Sequence, residues 1–460
     1  MSSQDTRLTL GVPLSVQSGI RGPAVVAAGP FAPGHLGELT QIVSFDLVDA
    51  ALESARAVQH RVRVLPSRVV VYLLLAAALF AEMGYRQVWA RLIAGLDPAS
   101  VAAPGSSALS QALRRVGVAP LRELFTLVRG PAVGAARWQG LLVCAIDGTS
   151  MFVANSAANA AAFGRQTGRA DAESGYPMLR LLTVVACGTR TVIDAVFGSY
   201  HVGETTYAPQ LLGCLRPGML LLADRNFAVT TLIEQIATTQ AHLLIRCKDA
   251  RVLPPIKQLP DRTWLARMGA VTVRVIDARI NVRLGADATR VGRYRLVTSL
   301  TDEKRYPAHE LVSLYHQRWE IETSYLELKS TILGGRVLRA ATPAGVAQEV
   351  YALLITYQAL RTAIADTSLA HPDISPERLS FTVALHAARD QVVHAAAAIA
   401  ATPIDLIGRI GAAVLNQPLP ARRARSSPRV VKRAISKHRA KGVVDRTTYT
   451  TTITIEILDG

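Results

Sequence analysis

Five short apolar runs between residues 141 and 247 constrain the fold more than any other feature of this 460-residue chain. A short, continuous apolar run bounded by turn residues is typical of a buried β-strand. Helical patterns at about 205–215 and 228–239 lie between the later runs. Neighbouring strands followed by strands that alternate with helices predict a mixed α/β sheet. The predicted strands are LLVCAID (141–147), MLRLLTVVA (178–186), RTVIDAVFG (190–198), MLLLAD (219–224) and AHLLIRC (241–247).

The region before this sheet is predicted to be helical. Residues 1–33 are rich in Gly, Pro and Ser and are predicted to form a flexible arm. Residues 34–135 are predicted to form a helical N-terminal domain, in which the 13-residue apolar run at 69–81 is too short to cross a membrane and indicates a buried helix. A later two-helix pattern carrying Gln111, Arg114 and Arg115 favours contact with DNA, although such patterns are also common in bundles that bind none.

The region after the sheet changes character twice. Residues 248–300 alternate between polar and apolar side chains and are predicted to form a β-rich insertion. A long apolar helical pattern runs from 344 to about 365, and residues 366–417 are predicted to form further, Ala-rich helices.

The charge of the chain favours a polyanionic partner. The net charge is +17, and residues 418–442 hold nine Lys or Arg and no acid. Such a run can be merely a solvated tail, but the missing acids favour contact with nucleic acid. The basic tail, 418–460, therefore contributes these candidate DNA-binding residues: Arg422, Arg423, Arg425, Lys432 and Arg433.

The same composition argues against a membrane or secreted protein. We find neither a signal-peptide pattern nor an apolar run long enough to span a bilayer. The four cysteines form no CxxC pair, which favours small buried residues in a reducing cytoplasm over a disulfide or zinc framework. We expect a cytoplasmic, nucleoid-associated protein without a membrane partner.

The stretch YHQRWEIETSYLELK, residues 315–329, carries the most specific pattern of charge. Read as one helix, it places Tyr315, Arg318, Glu322 and Lys329 within a stripe of roughly 60°. Such a stripe suits phosphate binding by the cations and metal binding by the carboxylate. Taken alone, Arg318 and Glu322 could instead be an ordinary i,i+4 pair that supports the helix.

Two further carboxylates follow predicted strands. Asp147 ends the first predicted strand, in CAIDGTS, and Asp224 ends a later one, in LLLADRNF, so each is predicted at the edge of the sheet where ligands bind. Either acid alone could cap a turn. Together with Glu322 they supply three hard oxygen donors, which suit Mg²⁺ or Mn²⁺.

The combination of these motifs resembles the DDE transposases of bacterial insertion sequences, in the subgroup named after insertion sequence four. The resemblance covers most of the chain and includes FAPGHLGELTQIV, GYPMLRLLTVVACGTRTVIDAVFG and ATPAGVAQEVYALLITYQALR. It implies a ribonuclease-H-like catalytic domain formed by 136–247 and 301–365, with the insertion before the last acid. In the subgroup the second acid usually begins the motif Asp-x-Gly-Phe, whereas this chain reads Asp-Arg-Asn-Phe, with Asn226 in place of the glycine. Because Asn tolerates a left-handed backbone, we expect the turn to persist.

The resemblance also implies roles for particular residues. Asp147, Asp224 and Glu322 match the metal-binding triad, and Tyr315, Arg318 and Lys329 match residues that grip DNA near the cut. Two Mg²⁺ or Mn²⁺ ions would assist attack by water, which frees a 3′-hydroxyl that then attacks target DNA. We expect the double-stranded DNA of the element ends and of the target as partners, and a homodimer assembled on DNA.

An aromatic residue in the insertion is implied to stack on a flipped base in some relatives. Tyr294 is the first candidate, and Trp264 is the rival; an ordinary strand tyrosine is the alternative for Tyr294. His201 and Glu204, in YHVGET, could be mistaken for a metal pair, but their isolation favours a role in a loop or sheet.

Two other functions share some of these features. A structure-selective nuclease of the same fold would keep the acids without joining DNA. A domesticated DNA-binding protein would keep the basic tail but would not need all three acids, and their presence counts against it.

Overall fold

The N-terminal helices pack around a long C-terminal helix rather than forming a separate body. The computed structural model describes residues 35–59, 65–94, 103–167, 173–284, 288–401, 408–420, 425–426 and 449–459. The predicted arm, 1–33, lies outside them. Ser44 caps α1 by accepting a hydrogen bond from the backbone N–H of Leu47. The first helices are α1 (Phe45–Ser54), α2 (Ser67–Leu79), α3 (Tyr85–Leu92), α4 (Ser106–Val116) and α5 (Ala119–Val128).

Helix α2 is the apolar run predicted to be a buried helix, and that prediction is confirmed: twelve of its thirteen residues are buried. Gln348, on the long C-terminal helix, donates to the carbonyl oxygens of Leu113 (2.9 Å) and Gly117 (2.7 Å) at the end of α4. Arg115 donates to the Leu65 carbonyl oxygen, so this predicted DNA-contacting residue also binds within the helical region. Within the described ranges, no helix combines the length and apolar character that a membrane span needs.

All five strands predicted from the apolar runs are present, and they form a single sheet. The elements are β1 (Arg137–Trp138), β2 (Leu141–Phe152), α6 (Ala157–Phe163), β3 (Gln166–Thr167), β4 (Glu173–Ser174), β5 (Met178–Ala186), β6 (Val192–Ser199), α7 (Glu204–Tyr207), β7 (Met219–Ala223), α8 (Thr230–Thr238) and β8 (His242–Cys247). Their order is β6-β5-β2-β7-β8: β5 pairs antiparallel with both β2 and β6, and β7 and β8 run parallel to β2. Three antiparallel strands extended by two parallel ones are the arrangement of the ribonuclease-H-like fold that we expected.

The insertion continues this sheet instead of forming a second one. Its strands are β9 (Lys257–Gln258), β10 (Trp264–Met268), β11 (Val271–Leu284) and β12 (Ala288–Thr298). Strand β12 pairs antiparallel with β8, and β11 pairs with β12. The periodicity predicted β11 and β12, but the short β9 and β10 were not predicted.

The remaining helices pack against the sheet, against one another and against the N-terminal helices. They are α9 (Ala308–Tyr315), α10 (Trp319–Leu326), α11 (Pro343–Ala370), α12 (Phe381–Ala401) and α13 (Arg409–Asn416), followed by β13 (Arg425–Ser426) and β14 (Tyr449–Ile457). One hydrophobic core joins the N-terminal helices, α11 and one face of the sheet, and a second lies on the opposite face. Strand β14 was not predicted; it pairs with β11 and so attaches the end of the tail to the sheet.

Candidate active site

Asp147 and Asp224 are neighbours because their strands run parallel in register. The last paired residues of β2 and β7 are Ile146 and Ala223, so the next residue on each strand is an acid. The prediction that Asp147 ends its strand is wrong, because β2 continues to Phe152 through its pairing with β5. What ends at Asp147 is the parallel pairing, since the chain turns away after Ala223. Asp224 caps that turn by accepting from the N–H of Asn226 at 2.8 Å.

The prediction of one continuous helix over 315–329 is also wrong. Helix α9 ends at Tyr315, a 3₁₀ turn covers His316–Arg318, and α10 passes into a π-helical stretch at Glu327–Ile332. The wider π turn changes the angular position of Lys329, and π turns are frequent at functional sites. Tyr315, Arg318 and Lys329 nevertheless contact β2 or β7. Glu322 is joined to Asp147 through Arg318.

Arg318 joins two of the three acids. Its guanidinium donates to Asp147 Oδ2 at 3.3 Å and to Glu322 Oε1 at 3.0 Å. The side chain is only 12% exposed. Burial alone would lower the pKa of Arg318, but the neighbouring Tyr315, Asp147 and Glu322 raise it on balance. Arg318 therefore stays charged between the two carboxylates.

Tyr315 and Lys329 contact the segments that hold the two aspartates. The Tyr315 hydroxyl donates to the Ala223 carbonyl oxygen at 3.1 Å, one residue before Asp224. Lys329 Nζ donates to Thr149 Oγ1 at 3.1 Å, two residues after Asp147. Burial lowers the pKa of Lys329 and raises that of Tyr315.

The pKa of Asp147 is raised by its surroundings. Burial raises its pKa to about 6, against the opposing effects of the Gly148 N–H and Arg318. The charges of Asp224 and Glu204 act in the same direction as burial. A carboxyl whose pKa is raised by burial beside other acids is a common mark of a functional site.

A cavity of about 280 Å³ opens in front of these residues. Asp224, Arg318 and Glu322 line it together with the aromatic side chains of Tyr294, Tyr315 and Trp319. Tyr294 is half-buried, and the Arg246 guanidinium lies 4.0 Å from its ring centre. Trp319 is 51% exposed, and no sequence pattern had pointed to it.

The structure contradicts a base-stacking role for Trp264. Its side chain is 4% exposed and belongs to the second hydrophobic core. The indole Nε1–H donates to the Leu253 carbonyl oxygen at 2.9 Å, which satisfies its one polar group. Its alternating strand pattern could place Trp264 on either face of the sheet, and the sequence did not reveal that α8 covers that face.

The donor set of the site suits a hard divalent cation, with one condition. Asp147 and Asp224 follow the paired residues of β2 and β7, and Glu322 lines the same cavity as Asp224. All three supply carboxylate oxygens, which are the donors that Mg²⁺ and Mn²⁺ prefer. As the side chains stand, however, no three Asp, Glu, His or Cys residues in the described ranges converge on one ion. Arg318 accounts for this, because its guanidinium lies between Asp147 and Glu322. Metal binding by all three acids requires Arg318 to release them.

Glu204 was missed as a residue of this site. Its carboxylate accepts from Arg180 Nη1 at 3.1 Å and from Asn226 Nδ2 at 3.0 Å. The expectation that it is isolated is therefore wrong, whereas its sequence neighbour His201 is exposed. The sequence offers only one weak signal for Glu204, the small residue Gly148 directly after Asp147.

The basic-tail candidates fall largely outside the described residues. This applies to Arg422, Arg423, Lys432 and Arg433, whose predicted role stays a prediction. For Arg425 only the backbone is described, in β13.

Comparisons with known proteins agree with this arrangement. Residues 33–126 match the family described as insertion element 4 transposase N-terminal, and residues 138–359 match the transposase DDE domain. The chain is 27% identical over 408 residues to the Escherichia coli K12 transposase InsG for insertion sequence element IS4, covering 84% of this chain and 90% of the relative. It is also 29% identical over 126 residues to the putative transposase InsZ of the same strain, covering 26% and 42% of the two chains.

A solved structure gives a weaker likeness. The cryo-EM structure of the piggyBac transposase synaptic complex with hairpin DNA has a TM-score of 0.43 and 10% identity, covering 85% of this chain and 86% of that one. So weak a likeness supports neither a fold nor a function by itself.

The strand order and the acids beside it define a protein of the ribonuclease-H-like class. Within that class, the chain belongs to the insertion element 4 family of DDE transposases, and it is a DNA transposase. Transposases of this kind cleave DNA, and their DDE domains generally use divalent metal ions.

Proposed function

We propose that this transposase binds the ends of its own insertion sequence, cuts them by metal-dependent hydrolysis, and joins the freed 3′-hydroxyl ends to target DNA. The observation that carries the proposal is that Asp147 and Asp224 follow the last paired residues of two neighbouring parallel strands, while Arg318 joins Asp147 to Glu322. The 3′-hydroxyl released when water displaces it from phosphorus serves as the nucleophile of the second step. No nucleophilic side chain is required.

Asp147, Asp224 and Glu322 would hold two Mg²⁺ or Mn²⁺ ions. When bound, such ions activate the attacking oxygen and stabilise the leaving oxygen of an in-line displacement. The protein's own contribution is to fix the carboxylates: the Asn226 N–H orients Asp224, and the Gly148 N–H donates to Asp147 Oδ1 at 2.8 Å.

Arg318, Lys329 and Tyr315 would hold the DNA backbone beside the cut. Arg318 binds two carboxylates in the protein alone, and a phosphate is an equally good bidentate partner for a guanidinium. Transfer of Arg318 from the acids to a phosphate would free the acids for metal and couple DNA binding to metal binding. Lys329, bonded only to a threonine hydroxyl within the described residues, can exchange that bond for a phosphate without exposing a buried acid.

The proposal extends to assembly and location. A homodimer on DNA would hold both element ends, and the bacterial relatives suggest action on DNA in the cytoplasm. A plasmid assay that scores both donor excision and joined product tests the proposed function. Excision with joining supports it, excision without joining identifies a nuclease, and DNA binding without either product identifies a non-catalytic protein.

The basic tail is predicted to supply non-specific DNA affinity. Deleting it would also remove β13 and the connection to β14, so substitution is the cleaner test. Lys432→Ser with Arg433→Ser should flatten the slope of log K against log salt, by about 0.9 for each phosphate that the variant no longer neutralises. The matched control is Lys257→Ser with Lys304→Ser, two exposed cations elsewhere. Equal slopes for the wild type and the tail variant would show that these two residues do not bind DNA.

Tyr294 is predicted to stack on a base flipped from the element end. It lines the same cavity as Asp224 and Glu322, and its ring already stacks with Arg246, which indicates an accessible aromatic face. With 2-aminopurine at each of the first positions of the end, flipping should change the fluorescence. Tyr294→Ala should remove that change, because stacking contributes about 1–3 kcal/mol per base, and Tyr294→Phe should retain it. A signal that survives in Tyr294→Ala would exclude this residue as the stacking partner.

A further inference from the structure

Glu204 lies beside both strand-end aspartates and has no role in the mechanism so far. It begins α7, directly after the loop that follows β6. Its side chain is 18% exposed and that of its partner Arg180 is 19% exposed. A pair this well shielded from water is held more firmly than an ordinary surface ion pair.

The hydrogen bonds of Glu204 lead to both acids. On one side, Asn226 donates to Glu204 Oε2, and the backbone N–H of the same residue donates to Asp224. On the other side, Arg180 belongs to β5 and pairs in register with Ser150 of β2, three residues beyond Asp147. One carboxylate thus connects the turn of Asp224 with the strands that carry Asp147.

Gly148 makes this close approach possible. A Cβ atom at this position would lie 2.7 Å from Glu204 Cγ, closer than side chains pack. Any other residue after Asp147 would push Glu204 away from the β2 segment. The glycine in CAIDGTS therefore provides space for a fourth acid beside the predicted triad.

We infer that Glu204 is a positioning residue for the metal site: its carboxylate holds the Asp224 turn against the Asp147 segment and adds negative charge beside the two acids. This inference rests on the proposed metal-binding function. The raised pKa of Asp147 agrees with it, since burial is the main cause and the charge of Glu204 contributes. Replacing a residue that orients a metal ligand through a hydrogen bond commonly weakens metal affinity by roughly 10-fold to 100-fold.

A purely local role is the alternative to be excluded. In that case Glu204 would only pair with Arg180 and stabilise α7, and its loss would act independently of Asn226. A positioning role instead couples the two residues, because Glu204 reaches Asp224 through the Asn226 side chain. The two roles therefore differ in additivity.

Mn²⁺ affinity of the full chain in complex with DNA, measured by calorimetric titration with the DNA alone as the blank, separates the roles, because DNA is expected to draw Arg318 away from the acids. Glu204→Ala should weaken binding roughly tenfold, at the low end for residues that support metal ligands. Glu204→Gln should lose less, since its amide oxygen can still accept one hydrogen bond. In an Asn226→Ala background, Glu204→Ala should have a markedly smaller effect. Glu53→Ala, at an exposed position on α1, is the matched control and should change nothing.

The outcomes distinguish this inference from the proposed function. Unchanged Mn²⁺ affinity in Glu204→Ala, or full additivity with Asn226→Ala, overturns the positioning role when Asp224→Asn abolishes binding. Wild-type protein that binds no Mn²⁺, or binding that persists in Asp224→Asn, overturns the proposed metal site instead.

A metal-free measurement decides the positioning role in either case. Hydrogen exchange of the amides of residues 224–228 should be faster in Glu204→Ala than in wild type, because the turn loses its connection to α7. Glu53→Ala should match wild type. Equal exchange rates in this segment for Glu204→Ala and wild type would show that Glu204 does not hold the turn.

Discussion

Replacing Asp147 or Asp224 by Asn, or Glu322 by Gln, is expected to abolish DNA cleavage while leaving binding to the element ends largely intact. Each change keeps the size of the side chain and removes one negative oxygen donor. Bound metal ions contribute several kcal/mol to stabilising such a transition state, so loss of a ligand should slow cleavage by about 10³-fold or more. Gel-shift and cleavage assays on the same preparations, in Mg²⁺, would measure both properties.

The control for this prediction is a nearby acid outside the triad. Glu310 lies on α9 and accepts a hydrogen bond from Trp138 Nε1 at 3.2 Å, away from the guanidinium that the triad acids share. Glu310→Gln should cleave at close to the wild-type rate. Near-normal cleavage by any one of the three triad variants would remove that residue from the metal-binding set.

Local sequence predicted the sheet well because its strands are short, continuous and apolar. The predicted run 178–186 coincides with β5, and the run 241–247 differs from β8 by one residue. Buried strands leave this signal because both of their faces are covered. The pairing of β14 left no such signal in the sequence. Strand β14 is separated from β11 by more than 160 residues, and its Thr-rich sequence does not indicate which strand it pairs with.

The sequence predicts candidate site residues, Glu204 excepted, but not the geometry that brings them together. Asp147 and Asp224 follow from the position of the apolar runs, yet only the parallel register of β2 and β7 makes them neighbours. Arg318 was predicted to bind DNA, whereas its bridging of two acids depends on the 3₁₀ turn that interrupts the helix. Such interruptions arise from tertiary packing, which a helical periodicity cannot reveal.

Asn226 illustrates a correct expectation with the wrong reason. We expected the turn after Asp224 to persist because Asn tolerates a left-handed backbone. The turn is present, but it is a 3₁₀ turn, Arg225–Phe227, and Asn226 has no positive φ. Its side chain instead donates to Glu204, a partner that lies 22 residues earlier in the chain.

A buried network of charged side chains contacts α10 and the π-helical stretch that follows it, and no sequence pattern predicted this network. Glu327 begins the π-helical stretch that carries Lys329, and it accepts hydrogen bonds from Arg190 (2.9 Å), Arg361 (3.0 Å) and the Tyr357 hydroxyl (3.0 Å). Arg190 also donates to Glu320 at 2.5 Å. The four charged side chains are 1–9% exposed, and their two positive and two negative charges balance.

Glu327→Ala is expected to be among the most destabilising single substitutions in the chain. It leaves two buried guanidinium groups facing the single carboxylate of Glu320, and an uncompensated buried charge typically costs about 3–5 kcal/mol. The free energy of unfolding, measured by urea denaturation, should fall by that amount. The control Glu53→Ala, at an exposed position of α1, should stay within about 0.5 kcal/mol of wild type. Glu327→Met combined with Arg361→Met should recover part of the loss, because it restores the balance of one cation with one carboxylate. A loss below about 1 kcal/mol for Glu327→Ala would mean that water or a rearranged side chain reaches these arginines, and that the network does not hold the π-helical stretch in place.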